Sequence, residues 1–147
     1  MAEDQTLERI EIRAVGPADR ALFKRVAPEV FDGAVVPERL AAYLNAADHL
    51  MVLALRDGEV VGQVAAVIHR HPDMPDELYI DNLGVTPALQ RQGIGRQLMG
   101  EIFALGRARG CEEAWVATEV DNRPARALYT RLGPVEDEPV TFYLYEL

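Results

Sequence analysis

A chain of 147 residues with 49% hydrophobic content can bury a core of its own, and we expect a single domain over residues 1–147. The net charge of −9 argues against nucleic acid as a partner, because phosphate binding needs clustered lysine and arginine side chains. No apolar run approaches the roughly 20 residues that span a bilayer, and the first residues lack the features of a signal peptide, so we expect a cytoplasmic protein without a membrane partner.

The first part of the chain predicts one strand followed by two helices. Residues 7–15 alternate between polar and apolar side chains, which indicates an edge strand. Gly16-Pro17-Ala18-Asp19 predicts a helix start, because an early proline and an acidic residue in the first turn favour the amino end of a helix. Val36-Pro37-Glu38 predicts a second helix start.

Three strands joined by short turns follow. Residues 50–55 are a continuous apolar run that is too short for an ordinary helix, so we predict a buried strand. Asp57-Gly58 is a hairpin signal that leads into the next strand, residues 60–68. After a polar turn, residues 77–85 form the fourth predicted strand.

The second half of the chain predicts helix, strand, helix, strand. Residues 93–109 carry apolar side chains at helical spacing, and residues 114–116 read as a strand in which we expect Trp115 to be core. Residues 122–132 predict a helix with Asn122 at the N-cap, and residues 140–147 alternate weakly and predict a final strand. A three-stranded meander followed by a β-α-β crossover indicates a mixed α/β sheet.

The segment between the fourth strand and the third helix carries the clearest functional signal. It reads Gln90-Arg91-Gln92-Gly93-Ile94-Gly95-Arg96, a glycine-bearing turn that opens a helix. Such a turn points several backbone N–H groups at one place, where the helix dipole adds partial positive charge. The segment therefore predicts a seat for a pyrophosphate.

Two signatures in this order resemble those of the GNAT-type N-acetyltransferases. The first is Gln90-x-x-Gly93-x-Gly95, and the second, about thirty residues later, is Asn122-x-x-Ala125-x-x-Leu128-Tyr129-x-x-x-Gly133. The resemblance implies the GNAT fold, a central mixed sheet of six to seven strands with about four helices, splayed between strands 4 and 5. Within the family, the chain most resembles the small aminoglycoside 3-N-acetyltransferases, through residues 77–80, 91–94, 127–133 and 136–138 and through Phe142.

The resemblance implies acetyl-CoA as the cofactor, held mainly by the backbone. In the family, the fourth strand bulges and the pantetheine arm inserts between strands 4 and 5. The bulge is expected near Asn82 and Leu83, with the N–H of Leu83 as the oxyanion donor. The residues implied to bind the cofactor are Leu83, Gly84, Val85, Gln90, Arg91, Gln92, Gly93, Ile94, Gly95, Arg96, Asn122, Ala125 and Tyr129.

Direct acetyl transfer within a ternary complex needs a proton donor for the thiolate and a proton acceptor for the amine. Tyr129 is the candidate acid, because a phenol of pKa about 10 stays protonated at neutral pH while a thiol titrates near about 8.5. Taken alone, Tyr129 would read as a core tyrosine. Glu119 and Asp81 are the first candidates for the base, followed by Glu77, and each has a solvated or salt-bridged carboxylate as its alternative.

The acidic side chains indicate a polycationic acceptor. Strand alternation places Glu77, Tyr79 and Asp81 on one face, which we expect to line the acceptor cleft. A carboxylate-lined cleft attracts positive charge and suits an aminoglycoside, a polyamine or a Lys-rich peptide. Asn82 stands where the aminoglycoside enzymes carry an aspartate, which removes one carboxylate. The candidate substrate-binding residues are Glu29, Asp32, Glu77, Tyr79, Asp81, Glu119, Asp121 and Glu136.

Other functions stay open at this point. The same chemistry fits a polyamine, an amino acid, or a protein N-terminus or lysine as the acceptor, and a non-catalytic acyl-CoA sensor would need only the cofactor site. His69 and His71 lack a third firm ligand, and the family's chemistry needs no metal, so we expect none. Family members often pair as homodimers through terminal strands, and the resemblance carries that expectation to this chain.

Overall fold

The structure is a computed structural model and describes residues 9–147 of the chain. It divides into two compact units at the peptide between Val116 and Ala117. We call residues 9–116 the N-terminal unit and residues 117–147 the C-terminal unit, and each is described by itself. The expectation of a single domain stays a prediction.

The N-terminal unit is built on one mixed sheet of five strands in the order β1-β2-β3-β4-β5. The first four strands pair antiparallel in succession, and β5 pairs parallel with β4. The parallel pair needs a crossover, which the helix between β4 and β5 provides. The strands are β1 Glu11–Ala14, β2 His49–Arg56, β3 Glu59–His69, β4 Glu77–Val85 and β5 Glu113–Val116.

Two α-helices and two 3-10 segments accompany this sheet. The helices are α1 Pro37–Asn45 and α2 Ile94–Ala108, and the 3-10 segments are Pro17–Lys24 and Pro87–Leu89. Helix α2 covers one face of the sheet with a fully buried stripe that includes Leu98 and Ile102. Burial of each such side chain contributes about 1.5–3 kcal/mol, so this stripe holds the α2 start firmly against the sheet.

The C-terminal unit contains one helix, α3 Arg123–Arg131. Asn122 caps it as predicted, because its Oδ1 accepts a hydrogen bond from the N–H of Ala125 at 3.3 Å. Gly133 follows the helix with φ of +74°, the left-handed conformation that commonly ends helices. In residues 9–147, no helix has the length and apolar character that crossing a membrane requires.

The structure departs from the predicted elements at both ends of the chain. The first strand spans only Glu11–Ala14, and positions 7 and 8 lie outside the described residues. The first predicted helix is a 3-10 helix. Residues 140–147 form no strand, and Phe142 is 83% exposed, so residues 9–147 hold five strands where six to seven were expected. Alternation is a local property, whereas a strand also needs a neighbour to accept its hydrogen bonds.

Candidate active site

The start of α2 presents unused backbone donors. Gly93 caps the helix in the left-handed conformation, with φ of 85° and ψ of 6°. The N–H of Gln97 makes the first helical hydrogen bond, to the carbonyl of Gly93 at 3.1 Å. The N–H groups of residues 93–96 therefore precede the helical ladder and lack helical acceptors. A Cβ at Gly93 would meet no atom within 4 Å, so the glycine is required by its backbone conformation, and open space remains for an anion.

The turn before α2 is tied back to the sheet. Gln90 donates from Nε2 to the carbonyl of Val85 at 3.0 Å, which joins the end of β4 to the turn. Arg91 adopts a positive φ of 64°, a conformation that costs an L-residue about 1–2 kcal/mol. Arg91 and Arg96 are exposed and form no ion pair among residues 9–147. Two unpaired guanidinium groups and the free N–H groups together fit a diphosphate.

The β4 strand bulges beside this turn. Ile80 pairs with Ala66 and Asn82 with Ala65, so Asp81 is the extra residue on β4, next to Asn82, near which the bulge was expected. On its other side, β4 pairs with β5 only as far as Ile80 and Val116. Within the N-terminal unit, residues 81–85 thus have no strand partner on that edge. An open edge of this kind can pair with the amide groups of a pantetheine arm, so these residues fit that part of the cofactor.

The two faces of β4 differ as predicted from alternation. Leu78 and Ile80 are buried, while Glu77 and Tyr79 are half-buried and Asp81 is exposed. An oxygen of the Glu77 carboxylate lies against Nε2 of His71, so this carboxylate is already in contact with another side chain. Asp81 keeps an exposed carboxylate at the bulge and is the better placed of these two candidate bases.

Trp115 corrects the prediction of a core tryptophan. Its side chain is 45% exposed and stacks on Tyr79, with ring centroids 4.3 Å apart and planes at 28°. The two residues face each other across the β4–β5 pair, so their rings meet on one face of the sheet. Tyr79 therefore belongs to an aromatic pair and does not stand alone on its face.

A buried polar network that the sequence did not predict lies next to the bulge. The side-chain amide of Gln63 donates from Nε2 to the carbonyl of Val30 at 3.1 Å and to Oδ1 of Asn82. Asn82 donates in turn from Nδ2 to Oδ2 of Asp32 at 3.3 Å. The clue in the sequence was that Gln63 is the single polar side chain in the apolar run of residues 60–68.

The candidate acidic residues Glu29 and Asp32 belong to the loop that this network holds. Both side chains are exposed, and Glu29 adopts a positive φ of 63°. A Cβ at Gly84 would lie 2.1 Å from the carbonyl oxygen of Val30, so the loop backbone crosses β4 where only glycine leaves room. The structure thus places the Asp32 carboxylate beside the bulged part of β4, and the backbone of Glu29 on the same loop.

The C-terminal unit carries the remaining candidates. Tyr129 is half-buried on α3, and burial raises the pKa of its phenol above the ordinary value of 10.0. Glu119 is exposed and accepts a hydrogen bond from Oγ1 of Thr118 at 3.4 Å. Asp121 and Glu136 are also exposed. The catalytic and binding roles assigned to these residues stay predictions.

Comparison with known proteins supplies the family. The profile of the Acetyltransferase (GNAT) family matches residues 20–133. Aminoglycoside N(6')-acetyltransferase type 1 of Salmonella typhimurium is 30% identical over 103 residues, which cover 66% of this chain and 70% of that protein. N-alpha-acetyltransferase 30 of Homo sapiens is 32% identical over 94 residues, which cover 64% of this chain but only 26% of that protein.

A solved structure supports the same fold. AAC(6')-Iy in complex with the bisubstrate analog CoA-S-monomethyl-acetylneamine superposes with a TM-score of 0.77, at 23% identity, over 94% of this chain and 99% of that one. Both of these aminoglycoside enzymes are of the 6'-type, whereas the sequence suggested a resemblance to the 3-N type. The GNAT profile spans most of the chain, from the 3-10 helix after β1 to the glycine after α3. The chain therefore belongs to the acetyltransferase (GNAT) family and is an acetyl-CoA-dependent N-acetyltransferase.

Proposed function

We propose that this protein acetylates an amino group of an aminoglycoside, by direct transfer from acetyl-CoA in a ternary complex. The observation that carries the proposal is the start of α2, where the N–H groups of residues 93–96 lack helical acceptors. Gly93, in its left-handed conformation, shapes this anion-binding turn, and the open edge of β4 at residues 81–85 adds a surface for the pantetheine arm. Acetyl-CoA needs both, because it joins a diphosphate to a thioester through that arm. When bound, acetyl-CoA supplies the acetyl group as a thioester that an amine can attack.

The backbone positions the donor in this proposal. N–H groups at the α2 start, with Arg91 and Arg96, hold the diphosphate, since both the helix dipole and the guanidinium groups favour negative charge. Residues 83–85 hold the pantetheine arm by backbone hydrogen bonds. The N–H of Leu83 donates to the acetyl carbonyl oxygen, where a fixed donor is most effective as negative charge develops.

Side chains move the protons. The acceptor amine must lose a proton before it attacks, and Asp81 or Glu119 receives it directly or through water. Tyr129 is protonated at Oη in the resting protein and donates this proton to the thiolate as it departs. Burial is consistent with this role, because it raises the pKa of the phenol and so keeps the proton on it at neutral pH.

The acceptor is proposed from charge and from the relatives. Asp32 and Asp81 are exposed carboxylates at the bulged part of β4, Glu29 is an exposed residue of the same loop as Asp32, and the whole chain has a net charge of −9. An aminoglycoside presents several ammonium groups and little apolar surface, so carboxylates suit it. Since the aminoglycoside relatives are 6'-N-acetyltransferases, we propose the 6'-amino group as the acetylated position.

The test compares two aminoglycosides that differ only in an amino or a hydroxyl group at the 6' carbon. Thiol release from acetyl-CoA is followed by absorbance, and the product is located by mass spectrometry and NMR. We expect turnover with the 6'-amino compound and at least a tenfold lower rate with the 6'-hydroxyl compound. Equal rates with both compounds would move the acetylated position to another amine, the 3-amino group included.

A different amine remains the alternative, and a specific observation favours it. The human relative is an N-alpha-acetyltransferase, and it matches this chain at an identity similar to that of the aminoglycoside enzyme. A panel with an aminoglycoside, a polyamine, an amino acid, a lysine peptide and a free peptide N-terminus separates these acceptors. Acetyl-CoA binding without turnover on any of them would instead support the sensor function.

We also propose a homodimer in the cytoplasm. In residues 9–147, β5 pairs only with β4, so its outer edge lies at the end of the sheet. The C-terminal residues 142–145 read Phe-Tyr-Leu-Tyr and are 72–83% exposed. A β-prone apolar segment and an open strand edge in the same chain favour pairing between copies. Light scattering should give twice the monomer mass, and removal of residues 140–147 should give the monomer.

A further inference from the structure

Gln63 has an environment unlike that of any other polar side chain in the described part of the N-terminal unit. Its exposed fraction is 0%, and only Thr86 joins it among the buried polar residues of positions 9–147. Its Nε2 donates to both Val30 and Asn82, while its Oε1 is buried without a hydrogen-bond partner. A buried amide with an unmet acceptor opposes folding, so packing alone would favour an apolar residue here.

The direction of the hydrogen bonds is determined by chemistry. The carbonyl of Val30 can only accept, so the NH₂ group of Gln63 must face it. Oδ1 of Asn82 accepts from the same NH₂ group, which leaves Nδ2 of Asn82 to donate to the carboxylate of Asp32. An amide side chain accepts at one end and donates at the other, whereas an ionised carboxylate only accepts, so an asparagine fits this position and an aspartate does not.

This network holds the loop of residues 29–33 at two points. The backbone of Val30 lies against Gly84 and is held by Gln63, and the side chain of Asp32 is held by Asn82. Oδ1 of Asp32 is left without a protein donor among residues 9–147, and the side chain is exposed. One carboxylate oxygen is therefore held from within the protein while the other stays free for a cation.

We propose that Gln63 is a positioning residue that acts through Asn82 to orient Asp32 as the counter-ion of an acceptor ammonium group. The inference rests on the proposed function, because it assigns Asp32 to the acceptor. It goes beyond that function by making a buried glutamine of β3 a determinant of acceptor affinity. Gln63 and Asn82 need not touch the acceptor for this, since their effect is to restrict the orientations of the Asp32 carboxylate.

Three variants test the proposal by steady-state kinetics. Gln63→Met keeps a similar volume without donors, Asn82→Leu keeps the shape of asparagine without polar atoms, and Asp32→Asn removes the charge. Each should raise the KM for the aminoglycoside about threefold to fivefold, the range of a lost exposed ion pair, with kcat and the KM for acetyl-CoA within about twofold. Asp57→Asn, at the remote β2–β3 turn, removes one carboxylate as a matched control and should leave both KM values unchanged.

The double variant that combines Gln63→Met with Asp32→Asn tests whether Gln63 acts through Asp32. If Gln63 acts through Asp32, Gln63→Met should add nothing to the acceptor KM once Asp32→Asn is present. Additive effects, or an unchanged acceptor KM in Gln63→Met, would overturn the proposal. A large loss of kcat together with an equal rise of the KM values for both substrates would also overturn it, because that pattern indicates general damage to the fold.

Hydrogen exchange measured without substrate separates this inference from the proposed function. Gln63→Met and Asn82→Leu should each speed backbone exchange in residues 29–33 relative to the wild type, with exchange across β2 unchanged. If the wild type acetylates no amine, the proposed function fails, and the exchange data still report on the anchoring of the loop. Unchanged exchange in residues 29–33 would refute the anchoring itself.

Discussion

Substitution of Gly93 by alanine should separate the conformational requirement of the α2 start from its steric requirement. Gly93 has a φ of 85°, yet a Cβ placed there would meet no atom within 4 Å. Gly100 lies on the same helix, is exposed, and likewise has no neighbour within 4 Å of a Cβ. Gly93→Ala and Gly100→Ala are therefore matched in added volume and differ in backbone conformation.

The expected changes in the free energy of unfolding have opposite signs at Gly93 and Gly100. A left-handed conformation costs an L-residue about 1–2 kcal/mol, so Gly93→Ala should lower the free energy of unfolding by about that amount. Alanine in a helix interior is favoured over glycine by about 0.5–1 kcal/mol, so Gly100→Ala should raise it. If the turn at Gly93 relaxes instead, loss of one N–H hydrogen bond to a charged phosphate costs about 1.5–3 kcal/mol, which is at least about tenfold in affinity.

Calorimetric titration with acetyl-CoA and thermal unfolding together measure both effects. We expect Gly93→Ala to weaken acetyl-CoA binding at least about tenfold or to lower Tm by about 3–8 °C, while Gly100→Ala leaves binding unchanged. Wild-type binding together with wild-type Tm in Gly93→Ala would refute the reasoning from backbone conformation. Equal loss of binding in Gly100→Ala would refute the assignment of the diphosphate to the start of the helix.

Three further changes probe other parts of the protein. Tyr129→Phe should lower kcat about 100-fold and leave acetyl-CoA affinity unchanged, because the phenol proton is needed only as the thiolate departs. Burial raises the pKa of Tyr129, so the wild type should lose no activity to its ionisation below about pH 10. A hydrogen bond from Arg70 lowers the pKa of Asp48, so this carboxylate stabilises the fold above its unfolded pKa of about 3.9, and that stability is lost as pH falls towards its lower folded value. Asp48→Asn should therefore flatten the decline of stability between about pH 5 and pH 3. Gly84→Ala should lower the free energy of unfolding by about 1–3 kcal/mol, because its Cβ would lie 2.1 Å from the carbonyl oxygen of Val30.

Each of these changes has a measurement that can contradict it. Kinetics of Tyr129→Phe that match the wild type across the pH range would remove the phenol from the acid role. An acid-unfolding curve of Asp48→Asn that overlays the wild-type curve would show that the Arg70 pair does not contribute. Gly33 lies in the loop of residues 29–33, where an added methyl group would meet no atom within 4 Å. A Tm loss in Gly33→Ala equal to that in Gly84→Ala would therefore contradict the close approach of Gly84 to the Val30 carbonyl.

The elements that carry the site were predictable because their signals are local. Gly93 marks the α2 start by its own backbone preference, and Asn122 marks the start of α3 by a side chain that reaches the N–H of Ala125. The alternation of β4 was equally readable, since burial of Leu78 and Ile80 follows from a two-residue period. Each of these signals is complete within a few residues of the chain.

The errors of the sequence reasoning share a different origin. Residues 140–147 alternate like a strand but form none, and Trp115 lies in a strand yet is 45% exposed. In both cases the pattern within the segment says which side chains could be buried, but not whether another element covers them. The bulge was expected near Asn82 and Leu83 and lies at Asp81, and its exact position is a matter of register against Ala65 and Ala66 on β3.

The amino-acid sequence by itself thus determined the family, the helix start that suits a diphosphate, and the alternating faces of β4. Only the tertiary structure decided that Gln63 would reach Val30 and Asn82, residues 33 and 19 positions away. It also decided that Gly84 would lie under the backbone of the 29–33 loop. Backbone conformation and periodicity are properties of neighbouring residues, whereas a buried hydrogen bond exists only once sequence-distant segments have been packed together.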